Sequence, residues 1–510
     1  MKLLDRYQYG GLVSRLEAEA SHNPIAFPSK VLLISGAAYV ALFGTLLGGA
    51  ALVYGISQWA LTRQNAFYLV QIGFLGLALA PLLLIVTRMF FMRLEPPSGR
   101  VVTPEEAPKL FEILRKMRKK LKGPAIHKVL IDREFNASIS QVPLFGLFGM
   151  HKNYLVLGLP YLLAVPPKEM LATVSHEYGH LCGNHGKLGA WVYRQRRILH
   201  AVNEKIQQSN ESHIVTGMIG RMLQKLMPYY DAYTFVMARQ NEYDADRTAT
   251  ELVGADVNAV GLVRDALLGR WVHEEFWPKL YAQANTSAEP LFRPFASMRS
   301  VFEAGREQWA TKERLTAAWR QSSDFFDTHP CLRDRVEATG QPAILPGAVT
   351  KSAAEALLGD TAKILVKEFD EAWWHEEKSG WQNRFRYVTR SKARLAELSA
   401  RQLGDLPVQD LHELALLKAE FESDQSAKPV LEYLMRQPGG PFAKPEYLYG
   451  TILLREGQER GLDFLATAAQ TDRNLTQDAA EAGYFYLLEK HDKQTADRWW
   501  HKIYPDESDD

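Results

Sequence analysis

From Val31 to Thr62 the chain carries no charged residue, and from Asn65 to Thr87 it again carries none. Each run exceeds the roughly 20 residues that a helix needs to span the hydrocarbon of a bilayer. Small residues punctuate both, Gly44, Gly48 and Gly49 in the first and Gly73, Gly76 and Ala80 in the second, and would let two helices pack closely. The pattern predicts a transmembrane hairpin over residues 31–93, turning near Arg63-Gln64-Asn65, after a polar tail over 1–30. Basic residues set the expected orientation. Lys2, Arg6, Arg15 and Lys30 precede the first run, Arg88, Arg93 and Arg100 follow the second, and the turn holds only Arg63. The positive-inside rule then places both termini, and the domain that follows, in the cytoplasm, as for a bacterial inner- or plasma-membrane protein. The first apolar run starts too late and is too long for a cleavable signal peptide.

Past the linker Glu95-Pro96-Pro97-Ser98-Gly99 the periodicity changes. Pro104 to Leu121 reads as an amphipathic helix and Lys128-Val129-Leu130-Ile131-Asp132 as a strand. Pro166-Pro167-Lys168-Glu169 is a helix start, and Met170, Leu171, Val174, Tyr178 and Leu181 supply the apolar face behind it. The expected architecture is a mainly α domain with a small β-sheet over 101–345, closed by Gly340, Pro342, Pro346 and Gly347. A helical connecting region over 346–405 holds Trp373, Trp374 and Trp381, which read as packing residues. From 406 to 510 a period of 34 emerges: Leu416, Gly450 and Tyr484 correspond, as do Ala419, Leu453 and Leu487, and Leu431, Leu465 and Trp499. Thirty-four residues per helix pair is tetratricopeptide spacing, and stacked pairs would offer a concave surface to a peptide or protein partner. Three unrelated helical hairpins are the other reading of the same positions.

Composition changes this picture little. Among 510 residues the net charge is +1, so no global field favours nucleic acid. Two cysteines, Cys182 and Cys331, imply no disulfide framework. The sequons at Asn136 and Asn285 carry no meaning for a cytoplasmic domain.

The chemistry concentrates in His176-Glu177-Tyr178-Gly179-His180. On a helix the two histidines stand one turn apart on one face, where they can share a zinc ion, with Glu177 beside the open position. A catalytic zinc needs a third protein ligand. His185 falls one residue short of the metzincin pattern H-E-x-x-H-x-x-G-x-x-H, whose third histidine position is Gly186 here. Cys182 is a possible soft ligand but reads more simply as a lone buried thiol. Glu242 is the stronger candidate. It shares a helix face with Asp246 at i+4 and Arg239 at i−3, which gives one carboxylate for a metal and a second for a ligand histidine. A solvated charged helix face would show the same spacing.

Taken together, H-E-x-x-H followed by E-x-x-x-D inside Arg239-Gln240-Asn241-Glu242-Tyr243-Asp244-Ala245-Asp246 resembles the M48 family of zinc metallopeptidases, which are gluzincins. Asn136-Ala137, the stretch Asn153 to Pro160, and Asp327-Thr328-His329-Pro330 with Arg335 after it are similar to further family segments, over roughly residues 100–340. The resemblance implies one Zn²⁺ per chain on His176, His180 and Glu242, Glu177 as general base, and Asp246 orienting a ligand histidine with Arg239 nearby. It also implies His329 as an oxyanion donor; occlusion of the metal or a plain turn role are the competing readings of that histidine. The family's active-site edge strand corresponds to Tyr154, Val156 and Gly158, which would receive an extended substrate by strand addition. Multi-span family members place membrane helices between H-E-x-x-H and the glutamate, but here that interval carries Arg194, Arg196, Arg197, Lys205, Arg221, Lys225 and Asp231. The expected function is a membrane-anchored zinc endopeptidase acting on unfolded or extended polypeptides, in protein quality control or processing. A membrane-tethered repeat scaffold or chaperone with an inert zinc site is the alternative, and a prenyl-protein processing enzyme is disfavoured by the single hairpin.

Overall fold

A computed structural model describes residues 6–23, 26–63, 95–144, 151–182, 214–323 and 327–504, with positions 70, 192, 195, 196 and 200. The chain is mainly helical, with one small mixed sheet. It divides into two compact units, one of residues 1–280 and 292–376, the other of residues 281–291 and 377–510.

The first unit begins with α1 (Arg6–His22) and α2 (Ala26–Arg63). The expected polar tail is instead a helix whose Tyr9, Val13, Leu16 and Ala20 are buried. They pack with Phe27 and Val31 of α2 against Ala232, Phe235, Val236 and Met237 of the long helix Ile214–Val253. The start of the first apolar run is therefore used in protein packing: Val31 and Ser35 are buried, and the Ser35 carbonyl accepts from Gln195 Nε2 at 2.9 Å. Among the described residues no helix is long and apolar enough to cross a membrane. This overturns the expected transmembrane hairpin, and with it the integral-membrane placement and the orientation drawn from flanking charges. The second apolar run lies outside the described residues apart from Val70.

The sheet contains β1 (Arg100–Val102), β2 (Lys128–Asp132), β3 (Ala137–Pro143) and β4 (His151–Gly158), in the order β1-β2-β4-β3. Only β2 and β4 run parallel; the other two pairings are antiparallel. From Asn153 to Gly158 every residue of β4 is buried, as expected of a strand covered on both faces. α3 (Pro108–Leu121) is the amphipathic helix read from the sequence, with Leu110, Leu114 and Met117 inward. β4 leads at once into the buried helix α4 (Leu159–Ala164). The junction depends on Gly158, where a Cβ would stand 1.7 Å from the Glu134 carbonyl oxygen. There follow α5 (Pro167–Cys182), which carries H-E-x-x-H, α6 (Ile214–Val253), α7 (Ala255–Trp271), α8 (Pro294–Ala304) and α9 (Leu332–Ala338). Phe135, Tyr161, Trp271, Phe276 and Phe302 meet edge to face and pin the loop before β3 to α4 and to the end of α7.

α10 (Asp360–Ser399) opens the C-terminal third, with Trp373 and Trp381 buried. The second unit then runs through the pairs α11 (Val408–Phe421) and α12 (Asp424–Leu434), α13 (Ala443–Arg455) and α14 (Gly461–Thr471), and α15 (Thr476–Lys490) and α16 (Lys493–Ile503). The two helices of each pair pack on one another, and two apolar clusters fill the unit.

Candidate metal centre

The site forms where α5 crosses α6. Proline in its first turn and a face of Met170, Val174, Tyr178 and Leu181 give α5 its start and its buried side. Gly179 permits the crossing: a Cβ there would lie 3.1 Å from the Ala245 Cα and 3.2 Å from the Thr248 side chain. The close approach brings Glu242 and Asp246, one turn apart on α6, onto the histidines of α5.

His176 Nε2 and His180 Nε2 face each other at 3.2 Å. Glu242 Oε2 lies 3.3 Å from the first and Oε1 3.5 Å from the second. His176, His180 and Glu242 thus form a group able to hold a metal ion. A tetrahedral zinc with bonds of about 2.0–2.1 Å to imidazole and carboxylate separates its ligand atoms by about 3.3–3.4 Å, which matches these distances. Glu242 Oε2 is also buried without a hydrogen-bond partner, as a carboxylate oxygen reserved for a cation would be. The donor set therefore fits zinc.

The surrounding groups hold these donors in place. Asp246 Oδ1 accepts from His176 Nδ1 at 2.8 Å, which leaves the Nε2 lone pair directed at Glu242 and His180. Arg335 on α9 grips Asp246 at both oxygens, at 2.9 and 2.7 Å. Burial alone would lower the His176 pKa, but the Asp246 and Glu242 carboxylates outweigh it and push it up to about 9. Burial and the neighbouring His176 hold His180 down to about 4. Asp246 is itself buried, yet Arg335 and His176 keep it well below the usual carboxylate range. Glu177, next to His176, is raised by burial and accepts from the Ile139 backbone N–H at 3.3 Å.

His329 stands at the rim, half exposed, with Nδ1 held at 2.9 Å by Asp327 and Nε2 3.7 Å from Glu242 Oε2. Arg239, one turn before Glu242 on α6, has partners beyond the metal group. It reaches Glu17 of α1 at 2.6 Å and the Asp327 carbonyl at 3.0 Å, so it braces the turn that carries His329. Cys182 lies beside Tyr178, where burial pushes its thiol up to about 11, and it is not among the metal-holding residues. His185 lies outside the described residues.

The expected substrate strand needs correction. Tyr154, Val156 and Gly158 sit on β4, which is paired on both sides, to β2 and to β3. Their main-chain groups are already in use. Among the described residues β3 is the edge of the sheet on this side, and Ile139 points its N–H from that edge towards Glu177. Polar alternation in Ala137-Ser138-Ile139-Ser140-Gln141-Val142 was the available signal for that strand. Arg335 could be found only as the last residue of T-H-P-x-x-x-x-R, and nothing in that pattern gave its partner.

One further acid lines the site. Asp265 of α7 borders the same cavity as His176 and Glu177. Burial, then the Glu169 carboxylate, push its carboxyl up to about 7, against the pull of Arg335 and Arg264. The folded chain therefore holds this proton more tightly than the unfolded chain. The stability so conferred is present at low pH and lost as pH rises from the ordinary value of 3.8 towards about 7. Thermal melts at pH 4, 5.5 and 7 should show wild type losing stability relative to Asp265→Asn across this window. A constant difference between the two would contradict the assignment.

No curated protein and no solved structure matches the chain. Residues 145–343 match the family model of peptidase family M48, a span that holds α5, α6 and α9 but not β1 to β3. The match, with the His-His-Glu group at its centre, supports an M48 metallopeptidase, a family of zinc-dependent proteases.

Proposed function

We propose that the chain is a zinc-dependent endopeptidase that cleaves extended polypeptide segments laid along β3. The observation that carries this reading is the placement of Glu177 between the His176-His180-Glu242 group and the β3 edge strand. Zinc bound there would polarise a scissile carbonyl and make a nearby water more acidic. Glu177, its pKa raised by burial, can take a proton from that water and return it to the leaving amine. The outer main-chain groups of β3 other than the Ile139 N–H, which Glu177 holds, offer hydrogen bonds that fix a peptide without reading its sequence. His329, steadied by Asp327, presents Nε2 where charge develops on the carbonyl oxygen. Asp246 and Arg335 act through His176 and keep its Nε2 aimed.

The helix pairs of the second unit are proposed to be tetratricopeptide-like and to bind a client or partner protein. Leu431, Leu465 and Trp499, 34 residues apart, are all buried in the second helix of their pairs, which supports this reading.

The test is cleavage of a permanently unfolded protein and of its folded counterpart by zinc-loaded enzyme. Fragments should appear from the unfolded form alone, cease on chelation and return on adding zinc. Cleavage that survives full removal of metal would sink the proposal.

A further inference from the structure

The span matched by the M48 family model begins at residue 145, and α1 lies outside it. Yet one residue of α1 is tied to the site. Glu17 Oε1 accepts from Arg239 Nη1 at 2.6 Å. The same guanidinium donates through Nη2 to the Asp327 carbonyl at 3.0 Å. Its Cζ stands over the ring of Phe235, 4.6 Å from the centroid, and Phe235 is fully buried. Asp327 in turn holds His329. One carboxylate oxygen, Oδ1, accepts from the His329 backbone N–H and from Nδ1, both at 2.9 Å. His329 Nε2 then lies 3.7 Å from Glu242 Oε2. The links run unbroken from an N-terminal helix to the rim of the metal group.

What holds each member decides what these links can do. The His329 side chain is 55% exposed, so packing does not fix it. Its direction follows from the Asp327 turn, and residues 327–330 form neither helix nor strand. Arg239, by contrast, is buried and rides on the long helix α6. Its guanidinium is a planar fork, so an anchor on one arm sets the direction of the other. Glu17 is that anchor. With Nη1 fixed, Nη2 meets the Asp327 carbonyl and grips the turn from outside. A partly exposed ion pair adds little stability by itself. It can still set a geometry, and a shift of about 1 Å at a reacting group can cost about 10²-fold in rate.

We propose that Glu17 and Arg239 are positioning residues: through them α1 holds the Asp327 turn, so that His329 Nε2 stays aimed at the metal group. The inference rests on the peptidase reading of the site, with His329 as a donor in it.

Full-length, zinc-loaded Glu17→Ala is the main variant, because Glu17 is partly exposed and its loss leaves the apolar face of α1 in place. Its kcat on an unfolded substrate should fall about tenfold, with KM and bound zinc within about twofold of wild type. In His329→Ala kcat should fall about 10²-fold, the usual cost of a lost oxyanion donor. In Glu17→Ala/His329→Ala the further loss should be under about twofold, because Glu17 acts through His329. Arg239→Lys, which lacks the fork, should repeat the pattern and serves if Glu17→Ala fails to fold. An unchanged kcat in Glu17→Ala overturns the proposal. So does a loss that persists in full in the His329→Ala background, which would mark a contact acting elsewhere. A second readout needs no turnover. Millisecond hydrogen exchange of the His329 amide, which donates to Asp327, should quicken at least about threefold in Glu17→Ala, and an unchanged rate overturns the proposal whatever the kinetics. That measurement also keeps the two readings apart. A wild-type protein that cleaves nothing sinks the peptidase, and hydrogen exchange then decides alone whether α1 holds the turn.

Discussion

Replacing Glu177 by glutamine should lower kcat on an unfolded substrate by about 10²–10⁴-fold, the usual contribution of a positioned general base. Bound zinc should stay at the wild-type level, because Glu177 is not one of the three residues that can hold the metal. KM should also change little, since glutamine keeps the shape of the side chain and its contact with the Ile139 N–H. Proton transfer alone is lost. Burial of Glu177 raises its pKa and so makes it a better proton acceptor than an exposed carboxylate. Steady-state kinetics beside a metal assay checks this, and equal rates for the two proteins would remove the general base from the account.

Arg335→Met should be the most damaging change that touches neither metal nor substrate. It leaves Asp246 buried with a charge whose two contacts to Arg335, at 2.9 and 2.7 Å, are gone. Breaking one side of a buried ion pair in this way costs about 3–5 kcal/mol. Asp246 should then bind its proton more readily and hold His176 Nδ1 less firmly, and loss of such a supporting contact weakens metal affinity about 10–100-fold. Denaturant melts and zinc competition with a chelator should show both effects. Arg335→Lys should recover part of the stability, since the charge returns without the two-point grip. A Met variant as stable as wild type would mean that Asp246 is satisfied by other groups.

The site was legible in the sequence where chemistry is written as spacing. Two histidines at i and i+4, and a glutamate and an aspartate at i and i+4, each fix a helix face, and the structure sets the two faces against each other through Gly179. Partners chosen in three dimensions were not legible. Arg239 shares the expected helix with Glu242, yet its side chain turns to Glu17 and Asp327, because a helix surface has more than one neighbour. Tyr154 to Gly158 was correctly a strand, but whether a strand is central or at an edge depends on pairing that its own residues do not encode. Asp265 gave no signal at all, since a single acid in an apolar helix face reads as solvent-exposed.

The N-terminal apolar run teaches the opposite lesson. Length and lack of charge measure how much apolar surface a segment carries, not what covers it: Val31 and Ser35 are buried in protein, whereas Leu33, Leu47, Leu52 and Trp59 are exposed. Phe27 and Val31 are buried against α1 and α6, a partner surface that the polar reading of residues 1–30 concealed.

The central claim is that His176, His180 and Glu242 together hold zinc. Its most direct test is the zinc content, by mass spectrometry, of the purified wild-type protein and of Glu242→Ala, after equal dialysis against a weak chelator. The account predicts one zinc per wild-type chain and loss of most of it in the variant. A wild-type protein that retains no zinc, or a Glu242→Ala protein that retains it in full, would contradict the account.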